Sequence, residues 1–129
     1  MENFKSQGIL KYGTNKLIVE IDPEITRFYR SLVPKYIQFN LPKYPPHISV
    51  VRKEVPNPTN WKKYEGQIAE FYYLPQIHQS QNYLWLNAFS LQLESIRLEL
   101  DLVVNSPYFT PPPGFNKTFH ITIGNFKGF

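Results

Sequence analysis

Twelve prolines cut this 129-residue chain into short segments, and that punctuation limits its folding more than any other feature. They gather at Pro42, Pro45 and Pro46, at Pro56 and Pro58, and at Pro107 and Pro111 to Pro113. Proline fixes φ and lacks a backbone N–H, so these clusters punctuate helices and strands and predict long, stiff loops. The length suits one core, and a single domain over residues 1–129 is expected.

Between the loops the chain reads as two halves. In the first, Gly8 to Tyr12 and Lys16 to Ile21 are strand-like runs about a Gly13-Thr14-Asn15 turn. Asp22-Pro23-Glu24 has the order of a helix start, and Ile25, Phe28, Tyr29 and Leu32 follow at helical spacing up to Pro34. A loop then leads into His47-Ile48-Ser49-Val50-Val51. In the second, Thr59 is expected to cap a short helix through Trp61 and Tyr64. Gln67 to Tyr73 and Tyr83 to Asn87 read as strands, and Ser90 as the cap of a helix presenting Leu93, Ile96, Leu100 and Val103 on one face. A proline-rich loop, Ser106 to Lys117, leads into Phe119-His120-Ile121-Thr122-Ile123-Gly124.

Each half thus ends on an apolar strand bearing His-x-Ser or His-x-Thr. Alternation puts residues i and i+2 of a strand on one face. His47 and Ser49 therefore project together, as do His120 and Thr122, while Ile48, Ile121 and Ile123 face the core. A neutral imidazole can take a proton from an attacking hydroxyl while a protonated one donates to a leaving oxygen. Histidine suits both tasks because its ordinary pKa lies near neutrality. The Ser and Thr hydroxyls can bond the non-bridging oxygens of a phosphate. The two imidazoles are expected to face one another across one cleft.

A lone histidine on a strand is more often structural than catalytic. Here two of only three occupy matching triplets 73 residues apart. The third, His78, lies in a Gln-rich stretch and reads as an exposed loop residue. Two histidines make a poor metal site, and no His-x-His or His-x-x-x-His pairing adds a ligand. Asp22, Glu54 and Asp101 could join such a site only through folding. Zero cysteines exclude disulfides, zinc–thiolate sites and a cysteine nucleophile. Neither a Gly-rich nucleotide-triphosphatase loop nor Gly-x-Ser-x-Gly occurs.

At these residues the chain resembles the 2H phosphoesterase superfamily, named for its paired His-x-Thr/Ser motifs. The resemblance spans most of the chain and implies an α+β, two-lobed, pseudo-twofold fold. It would have mostly antiparallel sheets, flanking helices, a central cleft and one motif per lobe. The segments from Phe28 to Tyr36 and from His47 to Glu54 are similar to the phage anti-CBASS nucleases, which cleave bacterial cyclic di- and trinucleotide alarm signals. That likeness implies metal-independent cleavage of 3′-5′ bonds without a cofactor, and a place in the host cytoplasm. His47 and His120 would divide the base and acid roles, with Ser49 and Thr122 holding the phosphate. Seven residues follow Thr122, fewer than in the phage enzymes, so no base contact of their longer tail is carried over. A 2′,3′-cyclic phosphodiesterase, a 2′-5′ RNA-processing enzyme and a non-catalytic nucleotide- or RNA-binding module are the alternatives.

The net charge of +4 leans towards an anionic partner, although a solvated basic surface explains it as well. Arg52, Lys53 and Lys117 lie near the triplets in sequence and are candidate phosphate contacts. Tyr12 and Tyr44 are candidate base-stacking rings beside Tyr108 and Phe115, and Trp85, inside an apolar strand, reads as core. The Ser106 to Gly114 loop is a candidate lid. No apolar run approaches the ~20 residues of a membrane span, and no secretory signal is visible, so a cytoplasmic protein with no membrane or obligate protein partner is expected.

Overall fold

Alternation in the sequence becomes six antiparallel strands in a computed structural model, which describes residues 3–127. The strands are β1 (Phe4–Gly13), β2 (Lys16–Glu20), β3 (His47–Val51), β4 (Ile68–Gln79), β5 (Tyr83–Phe89) and β6 (Phe119–Asn125). Two helices of nine residues, α1 (Pro23–Ser31) and α2 (Leu91–Glu99), precede β3 and β6. Both have the caps that their sequences announce. Asp22 Oδ1 accepts from Glu24 N at 2.9 Å, and Ser90 Oγ accepts from Leu93 N at 3.2 Å. The helix expected from Thr59 to Tyr64 is instead one 3-10 turn, Pro58–Asn60, capped by Asn57. Among the described residues no helix is long and apolar enough to cross a membrane.

The strands close into a barrel in the order β1-β2-β3-β6-β5-β4. This corrects the two-lobed α+β architecture: the protein is mostly β, with one closed barrel and two short helices. The physical reason is pairing, which alternation does not encode. β1 bonds β4 through six register pairs from Phe4–Tyr73 to Ile9–Ile68, which joins the two halves of the chain into one wall. β3 meets β6 through Ile48 and Ile121 and completes the ring.

Inward positions fill the barrel. Leu17 and Val19 of β2, Ile48 and Val50 of β3, Leu84 and Leu86 of β5, and Ile121 and Ile123 of β6 are buried. Each such side chain stabilises the fold by about 1.5–3 kcal/mol when fully buried. Gly8 permits close approach of the strands, since a Cβ there would collide with the Glu20 carbonyl and the Val19 side chain.

Two charges on α2 tie the barrel to the strands that bear the histidines. Glu94 is buried and accepts from the backbone N–H of Asn116 at 2.9 Å and of Lys117 at 3.2 Å, just ahead of β6. Arg97 is 2% exposed. It donates to the Val50 carbonyl of β3 at 2.7 Å, to the Val103 carbonyl at 2.9 Å, and to both carboxylate oxygens of Glu54 at 2.8 and 2.7 Å. One helix thereby sets the exit of β3 and the entry to β6.

Candidate active site

Ile48 and Ile121 are opposite partners on antiparallel β3 and β6, and both have 0% exposure. Moving one residue along each strand from that pair sets His47 beside Thr122 and Ser49 beside His120. All four side chains therefore lie on the outer wall of the barrel, with the two histidines on one diagonal of a square. Such diagonal neighbours stand about 7–8 Å apart. The triplets meet because their aliphatic centres pair inside the barrel.

Beside this square is a cleft of about 430 Å³. Ser49, His120 and Thr122 line it, with Arg52, Ser80, Tyr83, Trp85, Tyr108, Phe109, Lys117, Thr118 and Phe119. His47 shares the outer face but is not one of the lining residues, so the expected placement of both imidazoles across the cavity is met only by His120. Two cations and no carboxylate line the cleft. A cavity so lined attracts anions.

The histidines differ in their surroundings. His47 Nδ1 lies 2.8 Å from the Pro45 carbonyl oxygen. Because a carbonyl only accepts, Nδ1 carries the proton there and Nε2 is left for chemistry. The His120 ring is open to solvent at the cleft but crowded elsewhere. Trp85 lies 5.6 Å and Phe109 6.1 Å from it, centroid to centroid. Desolvation, then the charge of Lys117 and last the neighbouring His78 ring, hold its pKa below the ordinary 6.5. The neutral form is favoured.

His78 is not a loop residue. It lies on β4, half-buried, in register with Trp85 and stacked on it at 5.6 Å and 21°. The strand continues past Pro75 because the β4–β5 register shifts between Tyr73 and Ile77, a bulge that absorbs the proline. Asn87, 5% exposed and opposite His120, joins the cluster. Its Oδ1 accepts from Trp85 Nε1 at 3.0 Å, so its Nδ2 donates to His78 Nε2 at 3.1 Å. That bond leaves His78 as the neutral Nδ1–H form, and desolvation likewise lowers its pKa.

Trp85 is not core either. Leu84 and Leu86 point inward, so Trp85 points to the outer wall and lines the cleft. The same parity reading of Leu84 and Leu86 would have revealed it from the sequence. Tyr108 and Phe109 add further rings from the proline-rich loop. Thr118 holds that loop on both sides of Tyr108, its N–H donating to Ser106 Oγ and its hydroxyl to the Phe109 carbonyl at 3.4 Å.

Other sequence candidates fall elsewhere. Tyr12 packs edge-on against Trp61 at 4.9 Å, away from the cleft, because β1 puts its ring against the core. Its hydroxyl is buried without a hydrogen-bond partner among the described residues, the Tyr64 backbone approaching it without bonding geometry. Tyr44 is exposed under Lys16 and Lys43, whose ammonium groups lie 5.3 and 5.7 Å from its ring centroid, and it does not line the cleft. Phe115 packs on Tyr72 and Phe89 instead. Arg52 and Lys117 do line the cleft, whereas Lys53 does not. Glu54 is engaged by Arg97, and among the described residues no three His, Asp or Glu side chains gather as a metal-binding group.

Compared with protein-family models, curated proteins and solved structures, the chain matches none.

Proposed function

We propose that this protein is a metal-independent phosphodiesterase that cleaves 3′-5′ bonds in cyclic oligonucleotide signals, by the two-histidine chemistry of the 2H phosphoesterases. The observation that carries the reading is the register of Ile48 with Ile121, which sets two imidazoles and two hydroxyls in one square beside a cationic cleft. The substrate choice rests on the likeness to the phage anti-CBASS nucleases in the segments around Tyr29 and His47.

In this mechanism neutral His120 takes the proton of a ribose 2′-hydroxyl. The resulting oxygen attacks phosphorus, and the bond to the 5′-oxygen breaks. His47 Nε2–H gives its proton to that leaving oxygen, while Nδ1–H remains on the Pro45 carbonyl. Ser49, Thr122 and Lys117 donate to the non-bridging oxygens as their negative charge grows. The product is a 2′,3′-cyclic phosphate. Water opens it to a 3′-phosphate with the two histidine roles exchanged.

The test incubates purified protein in excess EDTA with a cyclic dinucleotide, 2′-5′ oligoadenylate and a 2′,3′-cyclic nucleotide. Turnover of the cyclic dinucleotide is expected, with losses on the order of 10²–10⁴-fold in His47→Ala and in His120→Ala. Turnover of only one of the other substrates would move the reading to a 2′-5′ RNA-processing or cyclic-phosphate enzyme. Activity abolished by EDTA, or kept in both variants, would overturn the mechanism. Binding of the same ligands without any turnover would mark a binding module.

A further inference from the structure

Positive charge gathers in two places about the cleft: Lys117 and Arg52 line it, and Lys127, which does not, lies beside the lining residue Tyr83. Lys117 is half-buried next to His120, and its charge is one cause of that histidine's lowered pKa. The other place surrounds Tyr83 on β5. The Lys127 ammonium lies 4.9 Å from the Tyr83 ring centroid, and Arg52 lines the cavity together with that tyrosine. The Tyr83 hydroxyl is pulled below its ordinary pKa first by Lys127 and then by the charges of Arg52 and Lys53.

These cations have no evident structural task. Lys5, Lys11, Arg27, Lys63 and Arg97 form the ion pairs among the described residues, and Arg52, Lys53 and Lys127 are in none of them. No carboxylate lines the cavity that Arg52 enters. Tyr83 is two residues from Trp85, whose strand partner is Thr122 of the motif square. Tyr83 thus stands one strand repeat, about 7 Å, beyond the ring that borders the square.

We propose that Arg52, Lys127 and the Tyr83 hydroxyl form a second anion subsite, which holds a non-reacting phosphate while the motif square holds the reacting one. The favoured substrates then carry at least two phosphates, as a cyclic dinucleotide or a 5′-phosphorylated linear dinucleotide does. A 2′,3′-cyclic mononucleotide carries one. This assignment rests on the two-histidine reading of the first subsite and adds the element that selects substrate size. Guanidinium and phosphate match in geometry, and Lys127 and the hydroxyl supply further donors.

The test measures calorimetric binding of the cyclic dinucleotide, the linear dinucleotide and the cyclic mononucleotide. The proteins are His120→Ala and the same chain also carrying Arg52→Gln and Lys127→Gln. Affinity for both two-phosphate ligands is expected to fall at least about ten-fold more than affinity for the mononucleotide. The slope of log affinity against log salt is expected to flatten by about 1 for each phosphate contact removed. Equal losses for all three ligands, or no loss, would overturn the subsite. A loss confined to the cyclic or the linear ligand identifies which form the subsite serves. Parallel turnover by the unmodified protein separates the two readings. Absent turnover with charge-selective binding refutes the catalytic reading alone, and turnover with equal losses refutes the second subsite alone.

Discussion

Arg97→Met removes four hydrogen bonds at once and takes the restraint off β3 just past Ser49. Methionine keeps much of the buried hydrocarbon, so lost packing contributes little. Removing one partner of a buried ion pair costs about 3–5 kcal/mol. Glu54 keeps 31% of its side-chain exposure and rehydrates in part, so the lower end, about 3 kcal/mol, applies to that pair. The stranded Val50 carbonyl adds about 1 kcal/mol, the low end for an orphaned acceptor. The sum of about 4 kcal/mol corresponds to a fall in Tm of roughly 10–15 °C for a domain of this size. Urea unfolding and thermal melting measure it. The pH dependence is a separate check. Arg97 holds the Glu54 pKa below its ordinary 4.5, so the pair's stabilisation is complete above 4.5 and is lost as pH falls through the lowered value. The gap between native and variant proteins should therefore narrow on acidification. A gap under about 1 kcal/mol at neutral pH, well below the cost of breaking a buried pair, would refute the role given to Arg97. So would a gap of constant size down to about pH 3.

Other outcomes test different parts of the molecule. Tyr12→Phe removes a buried, unpartnered hydroxyl and should leave stability unchanged or raise it by up to about 1 kcal/mol in urea unfolding. His78 and His120 both have pKa values lowered from 6.5, so they bind fewer protons folded than unfolded. Stability should be full above 6.5 and decline as pH falls through the lowered values, and His78→Gln should flatten part of that slope in pH-dependent unfolding. The acidic limb of kcat/KM should lie below 6.5 if His120 is the base. Lys117→Gln removes a charge that helps lower that pKa, so the limb should move upward, and an unmoved limb counts against His120 as base. Ser49→Ala and Thr122→Ala should each reduce kcat by about 10²-fold, with little change in melting temperature, if their hydroxyls serve the transition state.

Much of the local structure was legible in the residues. Asp22-Pro23 and Ser90 announce helix starts, and the flanking Ile48 and Ile121 fix which way each motif histidine points. Partnership was not legible. Nothing in the alternation of Phe4 to Ile9 says that β1 bonds β4 and thereby turns two expected lobes into one barrel. Polarity misled at His78: its Gln-rich stretch reads as a loop, yet a bulge lets β4 continue past Pro75 and carries it to the site wall. Hydrophobicity misled at Trp85, since an apolar strand on a barrel still has an outer face. Tyr12 ends a strand-like run before a turn and Tyr44 lies three residues before His47, and neither position reports which side of a closed ring a residue occupies.

The seam between β3 and β6 has one partnered pair, Ile48 with Ile121, whereas β5 and β6 share six. A ring parts first at its thinnest stitch, and in this protein that stitch holds the motif square together. Opening it costs far less than unfolding the barrel, because β1, β2, β4 and β5 keep their ladders. Heat should therefore abolish the proposed activity several degrees before the barrel melts. Backbone amides flanking His47 and His120 should exchange with solvent ahead of those in β1 and β4.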